Sequence, residues 1–143
     1  MDSNGKTPIL QLLIQTNVAD IVELESAAGK VRMIPFSGMA TGTLFQGIIE
    51  PCGVDTQITN PANVRHMSAR YMLTGVDDSG ASCHIFIQND AWFTNGERPQ
   101  PWYSVPMFIT DSETLAPLLH QHSFIGEGCR DEEGLHISFY QIS

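Results

Sequence analysis

The sequence predicts an all-β protein built as an antiparallel barrel of about eight strands, closed or nearly closed. Three observations carry that prediction. Apolar and polar residues alternate with a period of two along much of the chain, with β-branched and aromatic residues prominent. Short Gly, Asp and Asn turns cut the runs. Helix is scarce, with one short candidate near 113–121. A two-sheet β-sandwich fits the same strand count; glycines inside the strands favour the barrel, because a curved sheet needs tight bends.

The first run, ILQLLIQT, is followed by ADIVELES, a turn at AAGK, and two strands, VRMIPFSGMATG and TLFQGIIEP. Pro35 cannot donate to a ladder, so its strand must offer an edge or a bulge there. Gly38, Gly42 and Gly47 mark bends or close backbone approach. PCGVDTQIT leads through the turn NPAN into the long strand RHMSARYMLTGV, and DDSG turns that strand into ASCHIFIQND. TNGERPQP is a polar loop of a length suited to a rim or lid. WYSVPMFIT resumes extended structure, and SETLAPLLHQ opens with a Ser or Thr cap close to a Glu, with Pro117 keeping the helix short. HSFIGEG and GLHISFYQIS close the chain, the last alternating Leu135, Ile137 and Phe139 against His136, Ser138 and Tyr140.

The chain has 143 residues, enough for one domain with a real core, and residues 1–143 are read as that domain, with 1–7 flexible. Hydrophobic residues make up 42% and charged residues 16%, a balance that excludes a disordered chain. The net charge is −9, with seven Lys and Arg against sixteen acids. Nucleic acid and anionic membrane are therefore not expected partners. No cationic start precedes an apolar run and no run approaches membrane-spanning length, so the expected location is cytoplasmic. Cys52, Cys83 and Cys129 are odd in number and lack a C-x-x-C spacing, which argues for free thiols rather than disulfides or a zinc knuckle.

The stretch PCGVDTQ, residues 51–57, places an acid in a strand. With the following turn centred on Ala62 and Asn63, the antiparallel register sets Asp55 opposite Arg70 and Gln57 opposite Ser68. One face of that ribbon then carries Val54, Thr56, Ile58, Met67, Ala69, Tyr71 and Leu73. The other carries Asp55, Gln57, His66, Ser68, Arg70 and Met72. On a solvated face the Asp55 and Arg70 pair is worth roughly 0.2–1 kcal/mol and pins register. On a lumen face the same groups would orient a ligand.

At these residues the chain resembles the small β-barrel proteins grouped as domain of unknown function 3237, from about the first strand to the last. CGVDTQ, ARYMLTGVDDSGA and PMFIT stand where that family has Gly-Gly-x-Asp-Trp-Gln, an Ala-Arg-Tyr strand with an Asp-Asp-Gly turn, and Phe-x-Thr. Cys52 replaces the first glycine, Thr56 the tryptophan, and NPANV an Asp-Gly turn, while Ser79 adds a residue between Asp78 and Gly80. The resemblance implies an antiparallel barrel of the calycin-like kind, with Asp55, Gln57, Arg70 and Tyr71 at signature positions and a pocket reshaped by the missing aromatic at Thr56. It implies no activity.

Other groupings carry less. His120 and His122, with Glu127, Cys129 and His136 downstream, match no metal-ligand spacing, and no metal or other cofactor is expected. Cys83 and His84 are adjacent, so they point to opposite faces of a strand and cannot pair as nucleophile and base. Cys52, near the candidate pocket, reads as packing before thiolate. Trp92, Phe93, Trp102 and Tyr103 bracket the polar loop and suit core, pocket rim or dimer interface.

Three functional readings follow. The first is a small-molecule-binding barrel, monomeric or homodimeric, whose mouth is lined by Asp55, Gln57, Arg70, Glu50, Tyr71 and His84. The second is a cofactor-free lyase or isomerase acting on a small acidic or aromatic substrate, with Asp55 as its acid or base. An adjacent arginine lowers a carboxylate's pKa and so weakens it as a base, which weighs against the second reading. The third is a structural or interaction barrel whose lumen is filled with side chains.

Overall fold

The computed structural model describes residues 6–143. Of the segment 1–7 expected to be flexible, residues 1–5 lie outside the described residues. The strands are β1 (Leu10–Thr16), β2 (Val22–Ser26), β3 (Gly29–Thr41), β4 (Phe45–Ile49), β5 (Val54–Thr59), β6 (Arg65–Asp77), β7 (Ser82–Phe93), β8 (Trp102–Thr110), β9 (Phe124–Arg130) and β10 (Leu135–Gln141). One short helix, α1 (Ala116–Gln121), falls within the predicted segment. No helix among the described residues is long and apolar enough to cross a membrane.

Every pairing is antiparallel. The sheet runs β1, β10, β9, β8, β7, β6, and reaches β3 through β4 at one level and β5 at the other. β3 then pairs back to β1, from Phe36↔Thr16 to Thr41↔Gln11, and the barrel closes. That closure rules out the sandwich. β4 and β5 act as one stave broken at Glu50–Gly53, and β2 flanks the first half of β3.

β3 changes partners at Pro35. Met33 is the last of its residues to pair with β2 and Phe36 the first to pair with β1, so the residue without an N–H sits where one ladder ends and the next begins. Gly38 follows at φ 153°, where an added Cβ would run into the Leu13 carbonyl of β1. Glycine there lets the two backbones come together at the barrel's seam.

The period-two patterns sort as expected. On β8, Trp102, Ser104, Pro106 and Phe108 are buried while Tyr103, Val105, Met107 and Ile109 are exposed. On β10, Leu135, Ile137 and Phe139 join the core with Leu12, Phe45, Leu73, Ile85, Ile87, Phe108 and Phe124. Phe108 meets Phe124 and Phe139 edge-on at 5.2 Å each, the arrangement aromatic pairs prefer. α1 adds Leu115 and Leu119 at that end. Its entry is fixed by Ser112, whose Oγ accepts from the Leu115 N–H at 3.1 Å and donates to Asp77 at 2.6 Å.

The β5–β6 register is one residue away from the expected one. Asp55 pairs with Ala69, Gln57 with Met67, and Arg70 with Val54. The cause lies in the turn. Asn63 adopts φ 62°, and its N–H bonds the Asn60 carbonyl at 2.9 Å while Asn60 N–H bonds the Val64 carbonyl at 3.0 Å. This is a three-residue loop with a left-handed bulge residue, and it centres the hairpin on Ala62 alone. A one-residue slip exchanges the faces of one strand relative to the other. The interior face therefore combines Asp55 and Gln57 with Met67, Ala69, Tyr71 and Leu73. Arg70 goes to the outside with Val54, Thr56 and Ile58.

Candidate functional site

One end of the barrel holds a cavity of about 710 Å³. Its walls come from β1 (Ile14, Thr16), β3 (Arg32, Ile34, Phe36), β5 (Asp55, Gln57), β6 (Arg65, Met67, Ala69, Tyr71), β7 (Asn89), β8 (Trp102) and β10 (Leu135, Ile137). The loop after β7 brings Gly96, Glu97 and Arg98 to the rim, and the end of β9 adds Arg130. The third reading required a filled lumen; a cavity beside Asp55 stands against it.

Of the six candidates named from sequence, the cavity collects Asp55, Gln57 and Tyr71. Arg70 is exposed on the outer face, the consequence of the register, and pairs with neither Asp55 nor the cavity. His84 is exposed, and its Nδ1 lies 2.8 Å from Asp111 near the α1 end. Glu50 lies in the break between β4 and β5 and is not a lining residue. Thr56 is likewise not a lining residue, because neighbours of Asp55 and Gln57 on a strand face the other way. The missing aromatic at that position therefore does not reshape the cavity.

Gln57 is 5% exposed, and its Nε2 donates to Asp55 Oδ2 at 2.8 Å. Asp55 Oδ1 is shielded and has no partner among the described residues. Burial pushes the Asp55 carboxyl above the ordinary carboxylate range, against the opposing pull of the Gln57 bond and of Arg98, Arg65 and Arg32. No cation forms an ion pair with it among the described residues. Burial, with the Asp55 charge adding to it, holds the Tyr71 phenol far above its ordinary range, so it stays a protonated donor. The Tyr71 ring is fixed edge-on against Phe36 at 5.1 Å.

Polar satisfaction singles out this region. Eight buried side-chain atoms lack a hydrogen-bond partner among the described residues, and six belong to cavity-lining side chains: Asp55 Oδ1, Gln57 Oε1, Arg65 Nε, Tyr71 Oη, Asn89 Oδ1 and Trp102 Nε1. Each such group costs about 1–3 kcal/mol when left unmet, so concentrating them on one cavity is not a packing solution.

The charge is equally uneven. A second chamber of about 480 Å³ shares Arg32, Gln57, Arg65 and Gly96 with the first and adds Lys30, Glu25 and the turns at 26–29 and 59–63. Five of the chain's seven cations, Lys30, Arg32, Arg65, Arg98 and Arg130, thus line two adjoining chambers, against three acids, Glu25, Asp55 and Glu97. Among the described residues, only Arg32 of these cations has an ion-pair partner, Glu23 at 2.9 Å. Arg98 lies over the Trp102 ring at 5.0 Å with Nη1 3.7 Å from Met67 Sδ, and Arg65 lies over Phe93 at 5.4 Å. Burial lowers the pKa values of Arg65 and Arg98; neighbouring guanidinium groups add to the shift and the Asp55 charge opposes it. Sequence reasoning missed these arginines because they come from four separate segments; the signal available was their placement at strand ends, with Arg98 in the polar loop.

The remaining groupings resolve into structure. Asp131 and Glu133 in the β9–β10 turn cluster with His136 at the start of β10, whose Nε2 lies 2.9 Å from Asp131 Oδ1. His120 Nε2 accepts from Thr110 N–H and His122 Nδ1 meets the Ser143 carbonyl, so the two histidines serve different contacts. Cys83 is buried and His84 exposed. Phe93 and Trp102 are core; Trp92 and Tyr103 are exposed.

The family model described as protein of unknown function, DUF3237, matches residues 7–142. The chain belongs to the DUF3237 family. A relative, the UPF0311 protein of Clostridium acetobutylicum, is 28% identical over 94% of this chain and 92% of its own. Among solved structures, a protein of unknown function from Clostridium acetobutylicum is 26% identical with a TM-score of 0.77, covering 96% of this chain and 95% of the other. A structure described as an enzyme from Penicillium herquei has a TM-score of 0.69 at 18% identity over 100% of both chains, a likeness that shows the fold alone.

Proposed function

We propose that this DUF3237 barrel binds a small organic anion with an apolar, aromatic-sized body in the cavity beside Asp55. The single observation that carries the reading is the set of unmet buried polar atoms on side chains that line one cavity. The anion enters the reading through the arginines. Arg65, Arg98 and Arg130 have no ion-pair partner among the described residues, in a chain of net charge −9. Such a cluster favours a carboxylate, which a guanidinium can hold with two hydrogen bonds. The apolar body is matched by Ile14, Ile34, Phe36, Met67, Leu135 and Ile137. The free thiols of Cys52, Cys83 and Cys129 suit a reducing compartment, and we place the protein in the cytoplasm.

The test is a calorimetric titration with 3-phenylpropionate against 3-phenylpropionamide, which differ in charge and little in shape. Saturable binding of the acid, weakened about tenfold or more in Arg65→Ala, supports the reading. Equal affinity for acid and amide, or no effect of Arg65→Ala and Arg98→Ala, contradicts it.

A further inference from the structure

The anion-binding cavity is lined by a buried carboxyl group, Asp55, that has no ion-pair partner among the described residues. Asp55 Oδ2 is anchored by Gln57, Oδ1 is shielded and unpartnered among the described residues, and the residue lines the cavity. A structural carboxylate in a barrel would be expected to lie against a guanidinium. Four arginines line this cavity, yet none comes within ion-pair distance of Asp55. The weakening of Asp55 by an adjacent Arg70, expected from sequence, disappears because Arg70 is on the other face of the sheet.

We propose that Asp55 is a catalytic residue that moves a proton within the bound anion: a cofactor-free 1,3-proton shift in an aromatic 2-oxo acid, between the carbon beside the ketone and the ketone oxygen. The proposal rests on the anion-binding reading above. In the step, the Asp55 carboxylate takes the proton from the carbon next to the ketone. The electron pair of that C–H bond forms the C=C bond, and the C=O π pair moves onto oxygen. The proton then passes from Asp55 to that oxygen, giving the enol and restoring the carboxylate, with no oxidant, reductant or co-reactant consumed. The ligand's own carboxylate is held by the arginines, so its charge does not fall on Asp55 during the transfer.

Two features of the site suit this chemistry. Burial raises the Asp55 pKa, which makes its ionised form a stronger base, as general acid–base catalysis requires. Tyr71, on the same wall, remains protonated and its hydroxyl has no partner among the described residues, which leaves it a donor for an oxygen on which charge develops.

The experiment uses phenylpyruvate, which combines an aromatic ring, a carboxylate and exchangeable hydrogens beside a ketone. Binding is measured by calorimetry and proton transfer by proton NMR, as the rate of deuterium incorporation at the benzylic carbon in deuterated buffer. The wild-type chain is expected to bind phenylpyruvate and accelerate exchange, and Asp55→Asn to bind it within a few-fold while losing about 100-fold of the protein-dependent rate. Tyr71→Phe is expected to retain binding with a smaller loss. Binding without accelerated exchange in the wild type, or exchange undiminished in Asp55→Asn, overturns the proposal and leaves the anion-binding reading in place. Absence of binding by phenylpyruvate and 3-phenylpropionate alike overturns both.

Discussion

Gln57 donates its side-chain amide to Asp55 Oδ2 at 2.8 Å, from two residues further along the same strand. The bond fixes one carboxylate oxygen inside the barrel and leaves Oδ1 shielded and unpartnered. Burial raises the Asp55 pKa, with Arg98, Arg65 and Arg32 opposing the shift and Tyr71 packed on the same wall. A folded state in which an acid's pKa is raised binds the proton more tightly than the unfolded chain does. Its stability is therefore greatest below the ordinary Asp value of 3.8 and declines as pH rises through the raised one. Asp55→Asn, which keeps the acceptor for Gln57, is expected to raise Tm relative to wild type at about pH 7 and to lose that advantage near pH 3. Thermal melts across that range check it; a lower Tm for Asp55→Asn at neutral pH would sink the assignment.

Asp77 has the opposite sign. Ser112 and Ser79 donate their hydroxyls to Oδ2 and Oδ1 at 2.6 Å each, and the N–H groups of Ser79 and Ala81 add 2.9 and 3.1 Å bonds to Oδ1. These donors hold its pKa well below the usual carboxylate range. The stability it contributes is present above the ordinary value and lost as pH falls toward the depressed one. Asp77→Asn places an N–H₂ against donors, and is expected to lower Tm at about pH 7 with the difference shrinking below about pH 3. A constant difference across pH would contradict the ionic origin.

Trp102 rests on Gly128 of β9, where an added Cβ would collide with the indole. Gly128→Ala is expected to destabilise the fold by about 1–3 kcal/mol, since the indole can shift only by moving into the core or the cavity. Urea unfolding provides the check, and an unchanged midpoint would mean that the indole is not tightly held.

The fold was legible in the sequence because its signals are local. The alternation on β8 and β10 named the buried sets, Pro35 and Gly38 marked the place where β3 changes ladders, and Pro117 bounded the helix. The site was legible only in part. Within each of β5 and β6 the two faces were sorted correctly, but their pairing turned on whether Asn63 takes a left-handed conformation, which period-two reasoning does not report. That single dihedral sent Arg70 outside and left Asp55 without it. The cations that replace it, Arg65, Arg98 and Arg130, come together only through barrel closure, a non-local event with no spacing signature.

The turn itself can be tested. Asn63→Gly keeps the φ of 62° accessible and is expected to leave stability nearly unchanged, whereas Asn63→Val forces a β-branched residue into that region and is expected to cost about 1–2 kcal/mol. Chemical denaturation of the two variants distinguishes them. Equal stability would remove the turn as the determinant of register.

The cavity beside Asp55 is proposed to recognise an anion through arginines that have no ion-pair partner among the described residues. Titration of wild type and the double variant Arg65→Ala, Arg98→Ala with 3-phenylpropionate at low and high salt tests it most directly. Saturable binding that weakens with salt and is lost in the double variant is expected. Binding that ignores both salt and the double substitution, or no binding by the wild type at all, would contradict it.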